Sequence, residues 1–160
     1  MIINSSPAVV DFVAPSDPGE PKTVWGIRPL TYRETQQVMA EAGRRPVAAM
    51  DLYLRTYQAP DHEETDEEML ARVKEQRAKA ALYSDEDKQL MDEAAAYVTR
   101  HTFVSCSYGI QTIDGTRVSH SEVVNILDNM QPRDQVGAVL AEIAAQIGEL
   151  SKGSLKKKQP

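Results

Sequence analysis

The chain has 160 residues, a formal net charge of −6, 41% hydrophobic residues and one cysteine. This length is sufficient for one domain with its own hydrophobic core, without metal or disulfide support. The acidic balance argues against general nucleic-acid binding, which needs a broad basic face, and a lone cysteine excludes an intrachain disulfide. The start of the chain does not read as a signal peptide, and no stretch approaches the roughly 20 apolar residues of a membrane helix. We therefore expect a soluble, intracellular protein.

Two short apolar segments near the start of the chain favour β-strands. The first spans residues 9–14 and the second residues 23–28. The link between them holds three prolines and a glycine, which favour a loop over a helix. The two segments predict a β-hairpin that must pack on helices, because an isolated hairpin is only marginally stable. The only tryptophan, Trp25, lies in the second segment, where a core position is more common than an interface position.

Helix starts are marked by a serine or threonine followed three residues later by an acid, whose side chains cap the first turn. This arrangement occurs at Thr31, Thr65, Ser84 and Ser119. Gly43 predicts the end of the first helix, because glycine accepts the left-handed conformation found there. Pro46 is a good first residue for the second helix, and Pro60 ends it.

The apolar residues of the predicted helices indicate which faces are buried. The second helix is predicted to bury a stripe formed by Val47, Met50, Leu54 and Tyr57. The third, over residues 67–82, has few apolar residues among many charges, and we expect it to stand out into solvent. The sequence does not decide where the fourth helix ends. Residues 102–106 include β-branched and aromatic residues, which fit either a strand or the last turns of this helix.

The last third of the chain predicts a hairpin and two helices. Asp114 and Gly115 form the expected two-residue turn of a hairpin over residues 110–118. The final helix, from Arg133 to Leu150, carries apolar residues at a 4-3-4-3 spacing, typical of a helix that packs against another helix. These seam residues are Val136, Leu140, Ile143, Ile147 and Leu150. The seam closes an internal core or binds a partner, and we retain these five residues as candidate partner-binding residues.

Together these patterns predict a mainly α-helical protein of about six helices with one or two short β-hairpins. We expect a single domain over residues 1–151. A disordered basic tail over residues 152–160, which includes Lys156–Lys158, is expected to follow it.

The sequence contains no convincing catalytic, cofactor or metal motif. His62, His101 and His120 are scattered, without the helical spacing of metal ligands, and no glycine-rich phosphate loop occurs. Cys106 and His101 could be named as a nucleophile and its base, but a buried structural cysteine is the simpler interpretation. We therefore assign no catalytic, cofactor or metal residue and expect a protein that is not an enzyme.

The segment Asp61–Glu68 holds six acidic residues within eight positions. A solvated loop and helix start is the simplest explanation, because carboxylates are favoured near a helix N-terminus. The alternative is an acidic contact for a basic partner.

Three segments in a fixed order carry a family resemblance. The first is WGIRPLTYRE at residues 25–34, the second is the Asp-Gly turn followed by VVNILD at 123–128, and the third is LAEIAAQIGELS at 140–151. In this order the chain resembles the tail assembly chaperones of long-tailed bacteriophages. The resemblance covers most of the chain from Trp25 onward and rests on pattern and order, not on an invariant motif. The dense acidic block and the β-rich residues 104–118 depart from the family pattern.

This resemblance implies a non-catalytic factor in the cytoplasm of the infected host cell. Such proteins bind the long, largely helical tape measure protein, keep its apolar faces from aggregating and help tube subunits polymerise around it. They leave before the virion is complete. The major tail tube protein and a longer, frameshifted form of the same chain are further implied partners, and no cofactor, nucleic acid or membrane is implied.

Two points that this resemblance implies, the frameshift and the chaperone function, each have an alternative. The codons of Lys156–Lys158 are the candidate site of a −1 ribosomal frameshift, while the simpler interpretation of the lysines is a solubilising basic end. The alternative function is a structural virion protein, such as a tail or head-completion subunit, which would be present in purified particles.

Overall fold

The computed structural model describes residues 7–156, with the side chains through residue 152. Its helices are α1 Tyr32–Ala42, α2 Val47–Thr56, α3 Asp66–Ala81, α4 Asp85–Gly109, α5 His120–Asn129 and α6 Arg133–Lys156. Its strands are β1 Val10–Phe12, β2 Trp25–Ile27, β3 Ile110–Ile113 and β4 Thr116–Arg117. The predicted fold class, a mainly helical protein of about six helices with short β-hairpins, is confirmed.

The two predicted hairpins are parts of one antiparallel sheet in the order β1-β2-β3-β4. β2 pairs with β3, so that Trp25 lies opposite Ile113 although the two residues are far apart in sequence. The turn between β3 and β4 consists of Asp114 and Gly115, with φ angles of 49° and 77°. These positive φ angles are the ones that a two-residue hairpin turn requires, which explains the Asp-Gly pair.

The predicted helix starts are confirmed by hydrogen bonds of the capping side chains. Thr31 and Thr65 accept from the backbone amides three residues on at 3.2 and 3.3 Å, and Ser84 accepts from the Asp87 amide at 3.1 Å. Ser119 forms a full capping box with Glu122. Each cap satisfies an amide that has no acceptor within its helix, so four neighbouring residues determine where the helix begins.

The structure decides where α4 ends and corrects the predicted end of α6. Residues 102–106, which the sequence left open, are helical, and α4 continues to Gly109. α6 runs past its predicted end at Leu150 to Lys156, because no proline interrupts residues 151–156. The predicted tail over residues 152–160 therefore begins inside α6, while its residues 157–160 lie outside the described residues.

The described chain groups into two compact units. Unit 1 contains the described residues up to Ala42 and those from Thr99 onward, and unit 2 is Gly43–Val98. α4 runs continuously from unit 2 into unit 1. The single domain expected over residues 1–151 stays a prediction.

The core of unit 1 is built from β2, β3, the end of α4, α5 and α6. Its buried residues are Ala14, Trp25, Ile27, Cys106, Ile110, Val123, Leu127, Val139, Leu140, Ile143 and Ile147. The predicted core position of Trp25 is confirmed. At the end of α4, a Cβ added at Gly109 would overlap the Ile147 side chain, so this glycine permits close packing against α6.

Unit 2 has a smaller core made by α2 and α4. Ala49, Met50 and Ala94 are buried, and Tyr53, Leu90, Tyr97 and Val98 pack against them. The stripe predicted for α2 is wrong for three of its four residues, since Val47, Leu54 and Tyr57 are exposed. The buried face instead uses small residues, Ala49 and Thr56, beside Met50. The prediction for α3 is right, because none of its residues is buried.

Candidate partner-binding site

The five candidate residues of α6 face the core of unit 1. Leu140, Ile143 and Ile147 are buried members of that core, and Val136 and Leu150 are half-buried and packed against it. The seam therefore closes an internal core, one of the two uses that its spacing allowed. Its binding of a partner stays a prediction.

Cys106 has the environment of a structural cysteine. Its side chain is fully buried, and burial raises the pKa of the thiol to about 12. The Sγ–H group donates to the carbonyl oxygen of Leu140 at 3.3 Å. Because the thiolate is the nucleophilic form, a thiol with this pKa is unreactive at neutral pH. The Nδ1 of His101 lies 3.5 Å from the Ser105 hydroxyl, and burial lowers the pKa of that imidazole.

The remaining histidines have separate surroundings. His62 lies beside Asp61 on the surface, while the Nδ1–H of His120 donates to the Ser107 carbonyl at 3.0 Å. The His120 ring also stacks on Tyr108, with ring centroids 4.3 Å apart. Across the described residues, no group of three or more histidine, cysteine or acidic side chains is placed to hold a metal ion. No helix among them is long and apolar enough to cross a membrane.

The acidic block Asp61–Glu68 is solvated except at one position. Glu64 is largely covered, and its carboxylate accepts from Nε and Nη2 of Arg72 at 2.8 Å each. The hydrogen bonds from Arg72 hold the pKa of Glu64 below its usual range. The expectation that the whole block is solvated is therefore wrong for Glu64, which ties the loop before α3 to that helix. The other acids of the block are exposed.

Unit 2 exposes a group of large apolar side chains, which we call the exposed apolar set. Its members are Val47, Leu54, Tyr57, Met69, Leu70 and Leu82. Leu70 on α3 is 66% exposed. Sequence reasoning missed the three members on α2 or at its end, because it assigned the largest apolar residues to the core. The low apolar content of α3 correctly predicted that this helix is exposed.

α3 contacts α2 but buries none of its residues, and local interactions contribute to its stability. Its start is fixed by the capping box of Thr65 and Glu68, and its surface carries an i,i+4 pair between Glu75 and Lys79 at 2.7 Å. Such interactions are individually weak, and a helix of this length is marginal in water without packing. A helix of 16 residues with nothing buried therefore has much to gain from a partner.

Unit 2 is also the more acidic part of the chain. It contains 13 of the 24 acidic residues but 8 of the 18 basic ones. The exposed apolar set thus lies in an acidic, helical unit. Comparison with protein-family models, with curated proteins and with solved structures found no match for this chain.

Proposed function

We propose that this protein is a tail assembly chaperone of a long-tailed bacteriophage. In this proposal it is a non-catalytic factor of the host cytoplasm that binds the tape measure protein while the tail tube assembles. The sequence resemblance suggests the family, and the exposed apolar set offers apolar side chains for contact with a partner. The observation that carries the proposal is α3, a helix with no buried residue and with Met69 and Leu70 exposed to solvent.

A chaperone of this kind needs apolar contacts that adapt to a long, largely helical partner. Helices bind one another by laying apolar side chains into grooves, and methionine is suited to this because its thioether is flexible and polarizable. Met39 on α1 and Met69 on α3 are both exposed. These side chains offer contacts that the chain does not use internally.

The acidic charge of unit 2 suits the same task. A protein that exposes apolar side chains is at risk of associating with itself, and net charge of one sign opposes this. The acids around α3 keep the free protein soluble and favour partner segments that carry basic residues near their apolar faces. The acidic block thus contributes to solubility and to the choice of partner.

Co-expression of the full chain with the tape measure protein of the same phage tests the proposal. The two proteins should co-purify, and Leu70→Glu should weaken binding at least about tenfold, because a buried leucine contributes roughly 1.5–3 kcal/mol. The matched control is Ala78→Glu, which places the same charge at another exposed position of α3.

The control should bind like the unchanged protein, and both variants should melt within a few degrees of it, because neither residue is buried. A tape measure protein that does not co-purify with the unchanged chain would refute the proposal. Equal loss of binding in both variants would refute the role of the exposed apolar set.

A longer, frameshifted form of this chain is a separate part of the proposal, and the nucleotide sequence of the gene tests it. We expect a slippery run of adenines, either unbroken or ended by a guanine, within the codons of Lys156–Lys158, because both tRNAs must pair again after slipping one base back. The −1 reading frame should remain open past this run, and mass spectrometry of infected cells should find a minor, longer product. Mixed lysine codons with an immediate stop in the −1 frame would show that these lysines are only a basic end.

A further inference from the structure

Unit 1 contains a cavity of about 560 Å³, which we call the Trp25 cavity. It opens between the loop before β2, the β3–β4 turn and the helices α5 and α6. Its apolar walls are formed by Pro18, Trp25, Ile113, Ile126, Met130 and Val136. A cavity of this volume is within the range of sites that bind ligands or anchor side chains, about 300–1,000 Å³.

Trp25 lines this cavity and carries a buried hydrogen-bond donor without a partner in the described part of the chain. The residue is 2% exposed, and its indole Nε1–H has no hydrogen-bond partner among the described residues. Buried donors in native proteins are nearly always paired, because leaving water without a new acceptor is unfavourable. Aromatic residues with such a donor are common at binding sites, where the ring contacts apolar groups and the N–H finds an acceptor. Here Nε1 itself is closed to solvent, so Trp25 offers an occupant of the cavity the apolar surface of its ring.

The charged residues that line the cavity have one sign. Asp17 and Asp114 both line it, and none of its lining residues is basic. Both carboxylates are fixed by backbone amides, since Asp17 accepts from Gly19 and Thr23 and Asp114 accepts from Val24, each at 2.8 Å. Lys22 already lies close enough to Asp17 to help lower its pKa, so Asp114 is the rim carboxylate that most favours a further cationic neighbour.

We propose that the Trp25 cavity binds a basic, apolar peptide segment of a partner protein. A large apolar side chain of the segment contacts the walls, among them the Trp25 ring. A lysine or arginine beside that side chain faces Asp17 and Asp114. The inference does not depend on the proposed function, because the exposed apolar set lies in unit 2 and the cavity lies in unit 1.

Trp25 is the only tryptophan, so its fluorescence reports directly on the cavity. The full chain is titrated with a short, amidated peptide of leucine and lysine, and the emission of Trp25 is recorded. Two matched peptides replace lysine with glutamate or leucine with serine. The leucine–lysine peptide should shift the emission saturably, and neither matched peptide should do so, because each lacks one of the two chemistries.

Two variants locate the binding. Asp114→Asn removes one rim charge but keeps an acceptor oxygen, and asparagine tolerates the positive φ of this turn. It should weaken binding of the leucine–lysine peptide about threefold, as expected for loss of a partly screened charge pair. Asp11→Asn makes the same change of net charge at a residue that does not line the cavity, and it should bind like the unchanged chain. Circular dichroism confirms that both variants are folded.

Four outcomes would overturn the inference. No saturable change with any peptide would mean that water alone occupies the cavity, and equal binding of the glutamate peptide would remove the role of the acidic rim. Equal weakening by both variants would place the binding elsewhere. Emission that changes with protein concentration alone would assign the cavity to a second copy of the chain. None of these outcomes changes the effect that Leu70→Glu is expected to have on binding of the tape measure protein. Each of the two proposals can therefore fail without the other.

Discussion

The ion pair of Arg28 and Glu34 ties the end of β2 to the first turn of α1. Nη1 and Nη2 of Arg28 donate to the two carboxylate oxygens at 2.8 and 2.6 Å, and both side chains are mostly covered. Glu34 also accepts from the Thr31 amide at 2.8 Å, which completes the helix cap. These hydrogen bonds, with that from Arg28 as the largest cause, lower the pKa of Glu34 to about 2.

The lowered pKa makes the stability of the protein depend on pH in a defined direction. A carboxyl group with a lower pKa in the folded state stabilises that state when it is ionised. The contribution of Glu34 is therefore complete above its ordinary pKa of 4.5 and is lost as the pH falls towards 2.

Glu34→Gln should lower the free energy of unfolding by about 1–3 kcal/mol at neutral pH, because it removes charge-assisted hydrogen bonds and leaves Arg28 without a carboxylate partner. The difference from the unchanged protein should shrink as the pH falls from 4.5 to 2. Urea denaturation at a series of pH values measures both. Glu93→Gln, at an exposed position of α4, is the control and should have little effect. A difference that stays constant across this pH range would show that the ion pair does not act through the charge of Glu34.

At the scale of elements, the sequence predicted helix starts well and buried faces less well. A start depends on hydrogen bonds within four residues, as at Ser119 and Glu122, and so it can be recognised locally. The buried face of α2 depends on which neighbour it packs against. The small side chains of Ala49 and Thr56 are buried there, while Leu54 is left in solvent. Residue size alone could not reveal this, because a small residue is buried wherever another element comes close.

The contact between the end of α4 and α6 likewise depends on which elements pack against each other. Gly109→Ala should destabilise the protein by about 1–3 kcal/mol, because the new methyl group overlaps the Ile147 side chain. Ile147→Val removes the atom nearest to that methyl group, so the double variant should be more stable than the sum of the two single effects predicts.

Gly148→Ala is the control for this cycle. A Cβ at Gly148 meets nothing within 4 Å, and alanine is favoured over glycine in a helix, so this variant should gain about 0.5–1 kcal/mol. Chemical denaturation of the four proteins and the control gives all these values. Strict additivity of Gly109→Ala and Ile147→Val would contradict the close contact.

At the scale of the whole molecule, the candidate sites depend on contacts that the sequence pattern does not contain. The seam of α6 was recognisable from its spacing, and the structure places it in the core of unit 1. The Trp25 cavity combines two loops, two strands, a turn and two helices, from Asp17 to Val139 in sequence. No local pattern predicts such a meeting of distant segments. The exposed apolar set was missed for a related reason, since only the packing of unit 2 shows what remains outside its core.

The two units differ in what they bury and in what they expose. Unit 1 holds the larger core, with the sheet and α6, and unit 2 holds the exposed apolar set and most of the acids. In the proposed function, unit 2 binds the tape measure protein. The proposal requires that binding to be temporary, because a chaperone is released before the virion is complete.

The most direct test of this central claim is the molar ratio of this chain to the tape measure protein, measured by quantitative mass spectrometry. The ratio is determined in complexes isolated from infected cells through the tape measure protein and in purified virions of the same phage. As a tail assembly chaperone, the chain should be abundant in the complexes from cells and absent from the virions. A chain present in virions at a fixed ratio to the tape measure protein would contradict the account and identify a structural subunit of the particle.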